Sequence, residues 1–272
     1  MIHERLMTSQ NMDTIGDFGR QWENYTENTG YYASTDALIS LFGPLLNAKD
    51  ICGKRVADVG AGTGRYCRML SELGAAEILA VEPSSAYDIL LKNTALCHGI
   101  RYLQATADRI PPDGFDMIFC IGVLQFIADP APALQSMGRA LHPDGKLFLW
   151  VYGEENNRLY LTLVRPLRNI TARLPHFLLD ILAGLLVFPA DLYAALCRRL
   201  RLPMAEYVNR YFSKLDFYSR KLVVYDQLNP KYARYYRQEE LKHLLEQCGF
   251  FDIRMHHHLG YSWSVSAHYR GC

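Results

Sequence analysis

Paired cysteines, a leader-like apolar stretch and a surplus of one charge are all missing from this chain of 272 residues. Its seven cysteines (Cys52, Cys67, Cys97, Cys120, Cys197, Cys248 and Cys272) are scattered without a Cys-x-x-Cys pair. That spacing argues against a zinc site and against a disulfide framework, and fits free thiols in a reducing, cytoplasmic setting. The formal net charge is +1, without the basic excess by which nucleic-acid binders neutralise phosphates, so no nucleic-acid partner is expected. Residues 1–20 are polar and carry both charge signs, unlike a signal peptide. The longest apolar run, 177–197, is interrupted by Asp180, Pro189 and Asp191 and falls short of an unbroken membrane span. There is no internal repeat and no low-complexity tract.

What is present is enough apolar sequence for a full core, with half of all residues hydrophobic. Four sections differ in pattern. Residues 1–54 are aromatic and polar, 55–152 alternate short apolar runs with amphipathic ones, 153–230 read as helical and rich in Leu and Arg, and 231–272 read as helix, strand, strand. In the second section, 55–59, 78–81, 101–104, 115–121 and 146–152 read as strands. Helices are expected at 65–73, from Ser84 and Ser85 to about Cys97, and from Asp129-Pro130 to about Leu141. His142-Pro-Asp-Gly145 reads as a turn. Near the end, 239–248 reads as a helix, and 251–258 and 262–269 as a hairpin turned at Leu259-Gly260. Continuous apolar strands alternating with helices imply a doubly wound α/β fold. The expected sheet is seven-stranded, mostly parallel and Rossmann-like, with an antiparallel last strand and a helical insertion after strand five.

The stretch that carries chemistry is Val56-Ala-Asp58-Val-Gly60-Ala61-Gly62-Thr-Gly64-Arg65, at the end of the first strand and the start of a helix. Glycines there let the backbone turn sharply and approach a ligand, and a Cβ at Gly60 or Gly62 would fill the ligand's space. In a parallel sheet that ligand lies at the carboxyl ends of the strands, at the switch point. The third glycine of a dinucleotide loop is replaced by Arg65, and no Gly-Lys-Ser/Thr follows for a Walker loop. An acidic residue ahead of the loop, Asp58, suits a cationic ligand better than a pyrophosphate. Glu82, after the second strand, can accept both hydroxyls of an unphosphorylated ribose.

These residues resemble the class I S-adenosylmethionine-dependent methyltransferases over about 54–152. The resemblance implies that Asp58, Gly60, Gly62 and Gly64, with Ala61 and Arg65 among them, hold the amino-acid part of S-adenosylmethionine. By similarity Glu82, with Pro83 beside it, binds the ribose. The segment 104–111 is similar to the one that flanks the adenine, which implies Ala107 and Asp108; Thr106 stands where relatives often carry Asp. The segment 115–126 resembles the fourth-strand motif between cofactor and substrate, implying Cys120, Ile121 and Gly122. Gln125 and Phe126 stand where many relatives carry His. The implied activity is methyl transfer to a small-molecule, hydrophobic acceptor. A sensor or partner subunit that binds the cofactor without transferring methyl is the alternative, kept open by Gln125.

On this reading 1–54 is a helical lid, 55–152 the cofactor-binding core, 153–230 a helical substrate cap, and 231–272 the unit that completes the sheet. Trp22, Tyr25, Tyr32, Gln125, Tyr152 and His256 are the candidate substrate contacts; no catalytic base is assigned. In His256-His-His258 strand alternation sets His256 and His258 on one face and His257 on the other, and no metal is expected. The insertion keeps three readings open: a cap over a hydrophobic pocket, a structural or homodimerising helix pair, and a basic amphipathic surface in peripheral membrane contact. The Tyr- and Arg-rich segments 221–230 and 232–237 are either packing or the lining of a polar-aromatic site.

Overall fold

The computed structural model describes residues 2–270, with side chains from Met12 onward; Cys272 lies outside the described residues. The chain opens with α1 (Ile2–Asn24) and α2 (Thr35–Phe42), then enters an alternating unit. This unit is β1 (Arg55–Val59), α3 (Arg65–Glu72), β2 (Glu77–Val81), α4 (Tyr87–Asn93), β3 (Ile100–Leu103), β4 (Phe115–Ile121), α5 (Ala131–Ala140) and β5 (Leu141–Tyr152). Four helices follow: α6 (Arg158–Thr171), α7 (His176–Cys197), α8 (Ala205–Arg210) and α9 (Phe217–Leu228). The chain closes with α10 (Gln238–Gln247), β6 (Phe250–His258) and β7 (Ser262–Tyr269).

The seven strands lie in the order β3-β2-β1-β4-β5-β7-β6. The first five are parallel, and β7 pairs antiparallel with both β5 and β6. Alternate residues of each strand serve opposite faces, which is why the strands are apolar throughout. Ala57, Val59, Leu79, Ile118 and Leu149 pack on Leu134 and Met137 of α5 and on Leu241 and Leu245 of α10. Val56, Ile78, Ala80, Phe119 and Phe148 pack on Leu38 and Phe42 of α2, Met69 and Leu70 of α3, and Leu90 of α4. The strand order reverses between β1 and β4, so the ends of these two strands part and leave a crevice.

Three sequence expectations change in detail. The helix from Ser84 is shorter: the Ser84 Oγ accepts the Ala86 N–H, and α4 stops where Thr94 Oγ1 turns back to the Leu90 carbonyl. Residues 142–145 are not a turn ahead of β5 but a bulge inside it. Phe115 faces Leu141 while Met117 already faces Lys146, so the extra residues buckle out and His142, Pro143 and Asp144 are exposed. The apolar run 177–197 is not cut by its two Asp and one Pro. It forms one helix, α7, long and apolar enough to cross a membrane by length and composition. Its acids are neutralised from α9, Asp180 by Lys221 and Asp191 by Arg220.

Candidate functional site

The loop after β1 folds back over the end of β2, with the N–H groups of Gly60 and Ala61 both donating to the Val81 carbonyl at 2.8 and 2.9 Å. Gly60 and Gly62 have φ of 76° and 55°, the left-handed region that side chains disfavour. A Cβ on Gly60 would stand 2.4 Å from Val123 Cγ2, so this glycine makes room for the loop after β4 and not directly for a ligand. A Cβ on Gly62 would stand 3.3 Å from the indole nitrogen of Trp22, so this one keeps the cradle open beneath α1. The Glu82 carboxylate sits inside the curve. Its Oε2 accepts the Gly62 N–H at 2.8 Å, and its Oε1 accepts the N–H and hydroxyl of Ser84. Asp58 lies behind the loop, its Oδ2 accepting the Cys67 thiol at 3.2 Å, and burial pushes its carboxyl up to about 6.

The N-terminal segment is tied down over this loop. Asn28 and Thr63 exchange two hydrogen bonds, and Ser85 donates to Glu23 at 2.6 Å. Arg65 is half-buried between the rings of Tyr32 and Tyr66 and donates to the Tyr32 carbonyl and the Tyr66 hydroxyl. Phe18 packs on Phe126 with ring centroids 4.6 Å apart. The same helix is pinned to the chain's later part: Gln21 donates to Asp226 in α9, and Asn229 donates to the Asp17 carbonyl and to Gln21.

Between α1, the strand ends and α9 lies a cavity of about 690 Å³. One end is the glycine loop with Glu82 and Pro83. The other is a wall of Trp150, Tyr152, Tyr207, Tyr211 and Tyr261 that also holds Asp226 and Gln227. Asp226 accepts the Tyr152 hydroxyl at 2.7 Å and the Gln21 amide at 3.1 Å. Burial lifts its carboxyl above the ordinary aspartate value, against the pull of those two donors. The same burial, with the Asp226 charge, raises the Tyr152 phenol, which keeps that hydroxyl a proton donor. The Trp150 indole N–H is buried and has no partner among the described residues. Such an end can orient a polar group and take its proton.

Of the residues named from sequence, Gly60, Ala61, Gly62, Arg65, Glu82, Pro83, Ala107, Asp108, Ile121 and Gly122 line the cavity, as do Trp22, Tyr32 and Tyr152. Six do not line it. Asp58 and Cys120 are buried in the sheet behind the wall. Gly64 starts α3, where a Cβ would meet Thr94 and Leu90. Tyr25 turns to the insertion, donating to Asp180 at 2.7 Å and packing on Tyr225. Gln125 is fully buried, its amide without a partner among the described residues. His256 packs on α2, where a Cβ at Gly43 would meet its ring. His257 stacks on Trp263, and His258 bonds Ser40 and is pushed down to about 4 by burial. Sequence reading passed over Asp226. The signal was there, an acid directly after the apolar run 222–225, in a segment already marked for polar-aromatic chemistry.

Residues 57–149 match the family described as a methyltransferase domain. The chain is 29% identical over 140 residues to a tRNA U34 carboxymethyltransferase of Campylobacter hominis, covering 44% of this chain and 49% of that protein. It is 25% identical over 163 residues to a ubiquinone biosynthesis O-methyltransferase of Neisseria meningitidis, covering 58% and 67%. Among solved structures it resembles an S-adenosylmethionine-dependent methyltransferase of Mesorhizobium loti, with a TM-score of 0.50, 19% identity and coverage of 85% and 95%. The chain spans about half the length of the first of these relatives.

Proposed function

We propose that this chain, whose residues 57–149 match a methyltransferase domain, is a class I S-adenosylmethionine-dependent methyltransferase that methylates a small-molecule acceptor held against Asp226. The observation that carries the reading is the continuous cavity that runs from the glycine loop to the Tyr152–Asp226 pair. The residues suit the cofactor: Gly62 leaves the cradle free of a side chain, and Glu82 presents carboxylate oxygens within it. S-adenosylmethionine supplies an already activated methyl group, so the protein's main task is alignment, which is worth roughly 7–11 kcal/mol in favourable cases. Trp22 and Phe18 of α1 line the site from above. Trp150 offers an unpaired N–H to the acceptor, and Asp226 takes the proton of its hydroxyl or amine.

Two features favour a small acceptor over a nucleic acid. The net charge of +1 gives no phosphate-binding excess, and the acceptor end is walled by α1 and by Tyr207 and Tyr211 of the insertion. The non-transferring alternative drew its force from the absent His at Gln125. Gln125 stands outside the cavity, and Asp226 provides a proton acceptor within it. The test is a labelled-methyl transfer assay on a cell extract separated into small-molecule, RNA and protein fractions. Label is expected in the small-molecule fraction. Asp226→Asn should lower kcat roughly 100-fold with little change in cofactor affinity. Wild-type activity should fall on acidification through a value above the ordinary aspartate one. Label confined to RNA, or no transfer with cofactor bound, would overturn the reading.

A further inference from the structure

The outer side of α7 is the largest feature that methyl transfer leaves unused. Leu179, Ala183 and Val187 bury its inner side. Phe177, Ile181, Leu185, Phe188, Leu192 and Leu196 point away, with Phe188 66% and Leu192 64% exposed. Their spacing of four, four, three, four and four residues keeps them within one stripe about 100° wide. Phe217 of α9 extends it, its ring 6.4 Å from that of Phe188. α6 carries a second stripe of the same spacing, Leu159, Leu163, Leu167 and Ile170, all exposed. Solvated apolar surface of this extent marks an interaction site.

Charge identifies the occupant. The two acids of α7 are paired with Lys221 and Arg220 and leave no negative field on the face. Arg173 precedes the helix, and Arg198, Arg199 and Arg201 follow it; all four are exposed and, among the described residues, outside every ion pair. Cations at both ends of an apolar stripe match an anionic bilayer surface, with rings and leucines among the acyl chains and guanidinium groups at the headgroups. A second copy of the chain fits less well. Pairing two stripes lengthwise, parallel or antiparallel, sets arginines against arginines. Spanning the bilayer is excluded by the inner side, which stays packed on α9 with Asp180 and Asp191 engaged there.

We propose that the outer faces of α6 and α7 dock this protein in the plane of an anionic lipid surface. This rests on the exposed stripe and its flanking charges, not on the transfer reaction. The test is flotation of the full chain with phosphatidylcholine vesicles, with and without phosphatidylglycerol. The protein should float with the anionic vesicles and remain below with the neutral ones. Phe188→Glu with Leu192→Glu should abolish flotation. Arg198→Gln with Arg199→Gln should weaken binding to anionic vesicles roughly thirtyfold. All four positions are exposed, so unchanged circular dichroism and cofactor affinity establish that the variants fold. No flotation of the wild type, or equal flotation of the variants, overturns the proposal. Light scattering that shows a dimer lost in Phe188→Glu/Leu192→Glu assigns the face to a second copy instead.

Discussion

Gly62 concentrates two constraints in one residue. Its φ of 55° costs a side chain about 1–2 kcal/mol, and a Cβ there reaches the Trp22 indole. Gly62→Val should therefore lose measurable S-adenosylmethionine binding by calorimetry while the thermal unfolding transition stays cooperative. Binding at wild-type affinity would remove the loop from the site. His258 is a separate, structural matter. Burial lowers its imidazole from 6.5 to about 4, so the fold favours the neutral ring. That contribution is complete above pH 6.5 and fades as pH falls through 4, a change of about 3 kcal/mol. Urea melts at pH 7 and pH 4.5 should show wild type losing more stability than His258→Gln, whose amide can still bond Ser40. Equal losses would place the acid sensitivity elsewhere. The glycines and Glu82 were legible as single residues because their chemistry is local to one loop. Asp226 was not, because its meaning comes from Tyr152 and Gln21, distant in sequence.

Helix α1 shows what spacing can and cannot tell at the level of an element. Phe18 and Trp22, with Tyr25 just past its end, fall on one side of the helix, which fits a lid. Successive turns nonetheless meet different neighbours: Phe126 for Phe18, the Gly62 cradle for Trp22, and Asp180 with Tyr225 for Tyr25. Periodicity gives the face but not what stands opposite. Trp22→Ala should raise the cofactor dissociation constant roughly three- to tenfold, and Tyr25→Phe should leave it within error. A response from Tyr25→Phe and none from Trp22→Ala would reverse their roles. The strands of the core were read within a residue or two, since each is an apolar run bounded by glycine or a polar turn. The strand β5 was read short because turn-type residues at 142–145 bulge within a ladder that continues past them.

Across the whole molecule, the parallel core and the closing hairpin followed from strand–helix alternation. The relation of the insertion to the core did not, because α9 reaches the site by packing that no local pattern encodes. The contacts of Asn229 with Asp17 and Gln21 join residues 212 and 208 positions apart. At synthesis rates of about 5–20 residues per second, the partner of α1 leaves the ribosome roughly 10–40 s after α1 itself. Helix α1 can meet Gly62, Ser85 and Phe126 earlier, and gains its last contacts only when α9 arrives. Until then Tyr152 lacks its carboxylate partner, so the acceptor end of the cavity is completed only late in synthesis, after the glycine loop at the other end.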